Sequence, residues 1–391
     1  MKYRRVGLIA GVAVLAALAV VAAAAARPAT HQSSSAATKA CGKSVQLGML
    51  APITGPAGSI GADQLHWAQF YVARWNANKK NKVKLKIVQG DTQLDPSKAS
   101  TVAQSFASNS SIMGVIGPAG SDEVQAVAPI LKKAGLAFAS GSATRVSLTN
   151  GAYKGYFFRD VPNDGVQGPT DANYMFKTLG VKSGDTVMIV DDQESYSTGL
   201  ADIAGAALAA KGVKVDRESI SQTATDFSSL VAKAGSAKVV FLPFQLASQA
   251  QLFSQQLKAQ GKSAVVFGSD GTFDASKFST PGAYISFFAP DVTTLAANSA
   301  LVAAYNKAYP GGTTPFGAPN YVLAQMYSSA ITTACKDGKI SRAEVRKDLA
   351  KVKLKSTIFG SPVSFTASGD VAGAKFYIFK IQSDGSYKTV G

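Results

Sequence analysis

The chain has 391 residues, enough for a sizeable core and two domains. Its formal charge is +16, from 40 Lys and Arg against 24 Asp and Glu, and it holds only two histidines and two cysteines. So few His and Cys exclude a clustered metal site, and no GxSxG elbow offers a nucleophile, so the composition points away from an enzyme.

Lys2, Arg4 and Arg5 precede an uncharged apolar run from Val6 to Ala26. A positive start, an apolar core and the small residues Ala24–Ala26 make residues 1–26 a signal-peptide pattern. The run is also long enough to span a bilayer, so a retained anchor is the second reading. Either way the rest of the chain lies outside the cytoplasm. Residues 27–43 begin RPATHQSSSAATKA, which has no periodicity and reads as a flexible tether. Lys39, two residues before Cys41, argues against lipid attachment there. In an oxidising compartment the even pair Cys41 and Cys335 predicts one disulfide.

Residues 1–26 carry three of the positive charges, leaving +13 on the exported chain. The densest basic run, KKNKVKLK at 79–86, alternates Lys82, Lys84 and Lys86 with Val83, Leu85 and Ile87. That alternation predicts a half-buried strand with a charged outer face. No aromatic residue interleaves with the lysines, so no nucleic-acid partner is expected.

From residue 45, short apolar runs alternate with amphipathic segments. VQLGMLA predicts a strand, and 58–76 a helix with Leu65, Ala68, Val72 and Trp75 on one face. KLKIVQG, IMGVIG and LAFAS predict further strands, separated by helices over 96–108 and 121–134. After YFFRDVPNDGVQG the rhythm restarts. Helix 164–179, strand 185–190, helix 195–211, strands VKVDRESI and AKVVFLPF, helix 246–260 and strand 264–269 follow. Then come YISFFAP, helices near 294–309, 319–336 and 341–350, and finally SPVSFT and KFYIFKI. The expected fold class is α/β, with two doubly wound parallel-sheet lobes enclosing a cleft.

Motifs narrow the cleft's contents. Glycines at 55, 58 and 61 do not make GxGxxG, and Gln256 stands where a P-loop ahead of Gly261-Lys262-Ser263 needs glycine. No nucleotide cofactor, or any other cofactor, is called for. His31 falls in the tether, and His66 reads as a packing or surface residue. Asp191-Asp192 at a strand end reads as a solvent and turn pair. What remains is polar residues after strands, where open parallel sheets bind ligands: Ser121, Ser142 and Thr144 in the first half, Tyr196 and Asp270 in the second. Hydroxyls at a helix start favour a carboxylate, and an opposing carboxylate favours an ammonium. Together they suit a small zwitterion.

LAPITGPAGSIG, VIGPAGSDEVQAVAPIL, SATRVSLT, FFRDVPNDGVQG, DDQESYSTGLA, TDFSSLVAK and VVFGSDGTFD together resemble the periplasmic binding proteins of the branched-chain amino acid (Leu/Ile/Val-binding) type, over residues 44–390. The resemblance implies a two-lobed, hinged type I fold, with lobe one at 44–160 and 290–358 and lobe two at 161–289 and 359–391. It implies Ser121 and Thr144 on the ligand carboxylate. Thr144, the Ser142 carbonyl and Asp270 would take the amino group, and Tyr196 would cover the ligand from lobe two. Asp270 stands where the family often has glutamate, Gln245 where it often has tyrosine, and Ile60 near an expected aromatic. Ala119, Ile60, Phe244 and Phe273 are candidates for an apolar wall. The implied partners are a small amino acid and an ABC permease in the membrane, with the protein itself monomeric. The alternatives are an amide, urea or aromatic acid as ligand, or a membrane-anchored sensor ectodomain.

Overall fold

The computed structural model describes residues 38–42, 44–310, 314–373 and 375–391. The expected signal peptide and most of the tether lie outside the described residues. No helix among those described is long and apolar enough to cross a membrane.

The described chain opens with a short strand β1 (Lys39–Ala40), then β2 (Ser44–Ala51), α1 (Gly58–Ala77), β3 (Lys84–Asp91), α2 (Pro96–Ser108), β4 (Ile112–Ile116), α3 (Ser121–Lys133), β5 (Phe138–Ser140) and β6 (Phe157–Arg159). A second run follows: α4 (Asp164–Lys177), β7 (Thr186–Asp191), α5 (Ser195–Ala209), β8 (Lys214–Ser219), α6 (Ser228–Lys233), β9 (Val239–Leu242), α7 (Ala247–Ala259), β10 (Val265–Gly268) and β11 (Tyr284–Phe287). The chain ends with α8 (Ser299–Ala308), α9 (Gly317–Ala334), β12 (Lys339–Ile340), α10 (Arg342–Leu349), β13 (Lys353–Leu354), β14 (Val363–Ser364), β15 (Tyr377–Ile381) and β16 (Tyr387–Thr389).

β2 to β6 form one parallel sheet in the order β3-β2-β4-β5-β6. β7 to β11 form a second parallel set in the order β8-β7-β9-β10-β11. Strand faces alternate as a doubly covered sheet requires. On β2, Val45, Leu47, Met49 and Ala51 meet α1 and α9, while Leu50 joins the core under α2 and α3. On β7, Val187 and Ile189 face one core while Met188 and Val190 face the other. Sequence order reverses between β2 and β4 in one sheet and between β7 and β9 in the other. Loops diverge at such switch points and leave a crevice at the strands' carboxyl ends.

α9 returns to the first sheet, where Tyr327 donates across it to the carbonyls of Val115 (2.8 Å) and Ala137 (3.0 Å). The lysine-bearing segment is an edge strand, β3, where charge discourages pairing with another chain. A disulfide joins Cys41 to Cys335, with Cα atoms 5.7 Å apart, beside the antiparallel β1–β12 pair.

The end of the chain differs from the sequence pattern in two respects. β15 and β16 add to the second sheet antiparallel, so that sheet is mixed rather than wholly parallel. SPVSFT contributes only Val363–Ser364, which pairs with β13 outside both main sheets. The short β6 and the six-residue α6 escaped the periodicity, being too brief to register a period.

Candidate functional site

The site is built from strand-to-helix turns. After β2 the chain folds back so closely that a Cβ on Gly61 would lie 2.2 Å from the Pro52 carbonyl oxygen. Only glycine lets α1 start there and present Ile60 inward. After β4, Gly117 adopts φ +94°, where an added Cβ would lie 2.0 Å from the Leu50 carbonyl oxygen. Glu123 reaches back from the first turn of α3 to accept from Gly120 N–H at 2.7 Å, so the helix start is served without Ser121. Ser140 stitches the next turn by donating to the Pro118 carbonyl (2.6 Å) and accepting from Ala143 N–H (2.9 Å).

These turns meet at a small void between the two sheets. Ile60, Ala119, Ser121, Ser142, Tyr196, Gln245 and Asp270 line it. Ser121 accepts from Arg145 N–H at 3.3 Å, and Ser142 donates to the Ala119 carbonyl and accepts from Gln64, both at 2.9 Å. Thr144 is fully buried but does not line the void; its hydroxyl lies toward the Asp164 carboxyl.

On the opposite wall, Asp270 Oδ1 accepts from Tyr196 (2.6 Å) and from Gln167 Nε2 (2.6 Å). Ser269 Oγ lies 2.7 Å from the Tyr196 hydroxyl. Gln167 also donates to Ser286 (3.0 Å), which in turn donates to Asp171 (3.0 Å). Burial pushes the Asp270 carboxyl up to about 6, although the Tyr196 and Gln167 bonds pull it down. Burial raises Asp164 to about 7 and carries Asp171 well above the carboxylate range, with Asp270's charge adding to both. Arg159, the buried cation of this region, is committed to Asp370 (2.7 Å) and to the carbonyls of Ala143 and Arg145. This wall therefore favours a cation.

Two expected wall residues belong elsewhere. Phe244 is fully buried against Phe227 at 5.9 Å, inside the aromatic core of the second sheet. Phe273 packs on Phe287, Phe379 and Tyr387 and faces a separate, larger cavity that also borders Asp63, His66 and Asp274. The carboxylates there are already engaged: Asp63 by Tyr305 (2.9 Å) and Thr314 (2.8 Å), Asp274 by Ser59 (2.9 Å) and Ser276 (2.6 Å). His66 stacks on Tyr309 at 4.4 Å. The apolar lining of the site comes instead from Pro52, Ala57, Leu94 and Phe316 with Ile60 and Ala119. Asp191 and Asp192 are buried rather than solvated. Asp191 pairs with Arg217 (2.8 Å), and Asp192 accepts from Gln245 N–H (2.7 Å), fixing the Gln245 loop. Gln167 was the polar residue missed. Its signal was the i, i+4 pair Gln167 and Asp171 on the inner face of α4.

Two doubly wound sheets whose switch points face a common void define a two-lobed ligand-binding fold of type I. The chain belongs to the periplasmic binding protein family, whose profile matches residues 44–386. It is similar to the leucine-specific-binding protein of Salmonella typhimurium, with 26% identity over 352 residues, covering 88% of this chain and 92% of that one. Its fold is similar to that of the branched-chain amino acid transporter substrate binding protein LivJ of Streptococcus pneumoniae, solved with isoleucine (TM-score 0.77, 24% identity, 89% and 99% of the two chains). It is also similar to an R. palustris solute binding protein solved with benzoate (TM-score 0.77, 18% identity, 89% and 96%). Such solute-binding proteins serve ABC transporters and are not enzymes, and family membership implies an extracytoplasmic location.

Proposed function

We propose that this protein captures an α-amino acid with an apolar side chain in the cleft and delivers it to an ABC permease. The observation that carries this reading is the division of labour at Asp270. Its Oδ1 is held by Tyr196 and Gln167, and no described side chain donates to Oδ2. The residue lines a void whose far wall offers the Ser121 hydroxyl at the start of α3. An ammonium on Asp270 and a carboxylate on Ser121 place the ligand's side chain among Ile60, Leu94 and Phe316. Thr144, behind this wall, acts through Asp164 rather than on the ligand. The lobes are residues 44–160 with 290–358 and residues 161–289 with 359–391, and closure about the hinge brings Tyr196 and Asp270 onto the ligand. Residues 1–26 direct export, Cys41 and Cys335 stabilise the exported form, and the protein works as a monomer without cofactor.

Calorimetric titration of residues 38–391 with the amino acids and with benzoate tests the proposal. Leucine, isoleucine or another apolar amino acid should bind. Asp270→Ala should weaken binding by about 2–5 kcal/mol, the cost of an unpaired buried ammonium. Binding of benzoate with no amino acid binding would transfer the site to carboxylic acids, the reading favoured by the R. palustris neighbour.

A further inference from the structure

Beside the void, the two halves of the molecule touch through a helix start. Ser195 is the first residue of α5, and its N–H points across the cleft to the Asp122 carboxylate, at 3.2 Å and 3.0 Å from the two oxygens. Asp122 belongs to the first turn of α3 in the other half. One turn along α3, Gln125 Nε2 donates to Ser195 Oγ at 3.1 Å, and Arg145 Nη1 donates to the Ser195 carbonyl. Three residues of one half thus converge on one residue of the other. The N-cap position of α5 is Glu194, yet its side chain makes no cap bond to its own helix. The cap comes from Asp122 instead, and the Glu194 carboxyl lies beside that same carboxylate in the small pocket both line.

Two carboxyls in contact hold together only when one carries a proton. Burial first, then the bond to Asp122 and its charge, push Glu194 up to about 8. The groups around it reinforce this. Asp122 and Glu123 of α3 and Gln222 and Gln245 of the second half line the same small pocket, and Asp192 adds negative charge from the β7–α5 turn. Asp95 faces Glu123 from the N-cap of α2. Arg145, the cation that reaches this corner, is turned to the Ser195 carbonyl.

We infer that Asp122 and Glu194 form a proton-shared latch that holds the cleft closed, so that ligand retention weakens as the medium turns alkaline. Asp122 and Glu194 are positioning residues. They touch no ligand and act by keeping Tyr196, one residue beyond Ser195, over the void. The direction follows from the closed form binding the proton more tightly than the open form. Closure is strongest below the ordinary glutamate range and is lost as the pH rises through about 8. The inference rests on the reading that the void holds the transported ligand.

The test uses L-leucine as probe and titrates wild type, Glu194→Gln and Asp122→Asn from pH 6 to pH 9. Wild type should bind roughly tenfold more weakly at pH 9 than at pH 6, a figure reduced for the partial exposure of Glu194. Glu194→Gln should show a flat profile, because the amide donates to Asp122 at every pH. Asp122→Asn should be flat too, but weaker at pH 6, having lost the carboxylate cap on Ser195. The loss should appear in the dissociation rate. A second arm needs no ligand: exchange protection of the Ser195 amide should fall with pH in wild type, relative to intrinsic exchange, and stay level in Glu194→Gln. Identical pH profiles of Ser195 protection in wild type and Glu194→Gln overturn the latch. Failure of L-leucine to bind at any pH counts against the ligand reading alone and leaves the exchange arm to decide.

Discussion

Asp270 has one carboxylate oxygen held by the scaffold and one to which no described side chain donates. Tyr196 and Gln167 both donate to Oδ1, which fixes the rotamer and leaves Oδ2 for the ammonium of the proposed ligand. Tyr196 also favours the ionised form, so its loss has a signed consequence. In Tyr196→Phe the Asp270 carboxyl should titrate above its present value of about 6. Proton competition for the ammonium contact, which weakens binding as the pH falls, should therefore begin at a higher pH than in wild type. At pH 7.5 affinity should drop roughly tenfold, the value of a hydrogen bond to a charged group. Titration of the variant from pH 5 to pH 8 reads both effects, and an unmoved acid limb would show that Tyr196 only packs. Ser121, Ser142, Tyr196 and Asp270 were legible because each directly follows a strand in a βα unit, and topology brings those ends together. Leu94 and Phe316 were not legible. They reach the void from loops whose course depends on tertiary packing and leaves no period in the sequence.

Elements carry most of what the sequence announced. Helices α2, α3 and α7 fall within a residue of their periodic segments, because Pro at the start of α2 and polar punctuation elsewhere mark their ends. The antiparallel β15–β16 addition was hidden, since KFYIFKI reads equally well as a strand of either direction. The disulfide is a feature of elements as well. It fastens the segment just before β2 to the end of α9, with the Cys41 N–H donating to the Gly338 carbonyl at 2.8 Å. Closing so long a loop restricts the unfolded chain, and Cys335→Ser should lower the unfolding free energy by about 2–4 kcal/mol. Denaturant titration of the two proteins checks this. An unchanged midpoint would mean that the β1–β12 pair holds the segment unaided. The bond also leaves no thiol at Cys41 for acylation.

At the scale of the whole molecule, the buried acids set the response to pH. Burial raises Asp63, Glu123 and Asp164 to about 7 each. A raised carboxyl binds its proton more tightly in the folded form, so it adds stability below pH 4 and loses that contribution as the pH climbs through 7. Melting temperature should therefore fall between pH 5.5 and pH 8, at about 1–2 °C per kcal/mol for a protein of this size. Asp63→Asn should remove part of the slope, and differential scanning calorimetry of both proteins reads it. A melting temperature that rises over that window would mean these carboxyls are ionised throughout.

The sulfur bridge also decides how the protein answers a mechanical load. Pulled from its two ends, the chain transmits tension from Cys41 straight to Cys335, and everything between them sits in a covalent loop that bears no force. Among the described residues, only 38–40 and 336–391 lie outside that loop and can be drawn out, and β15 and β16 form the antiparallel edge of the second sheet. The parallel strands and every wall of the void, from Pro52 to Phe316, lie inside the unloaded loop. Tension applied at the two ends would strip that edge before it reached the cleft.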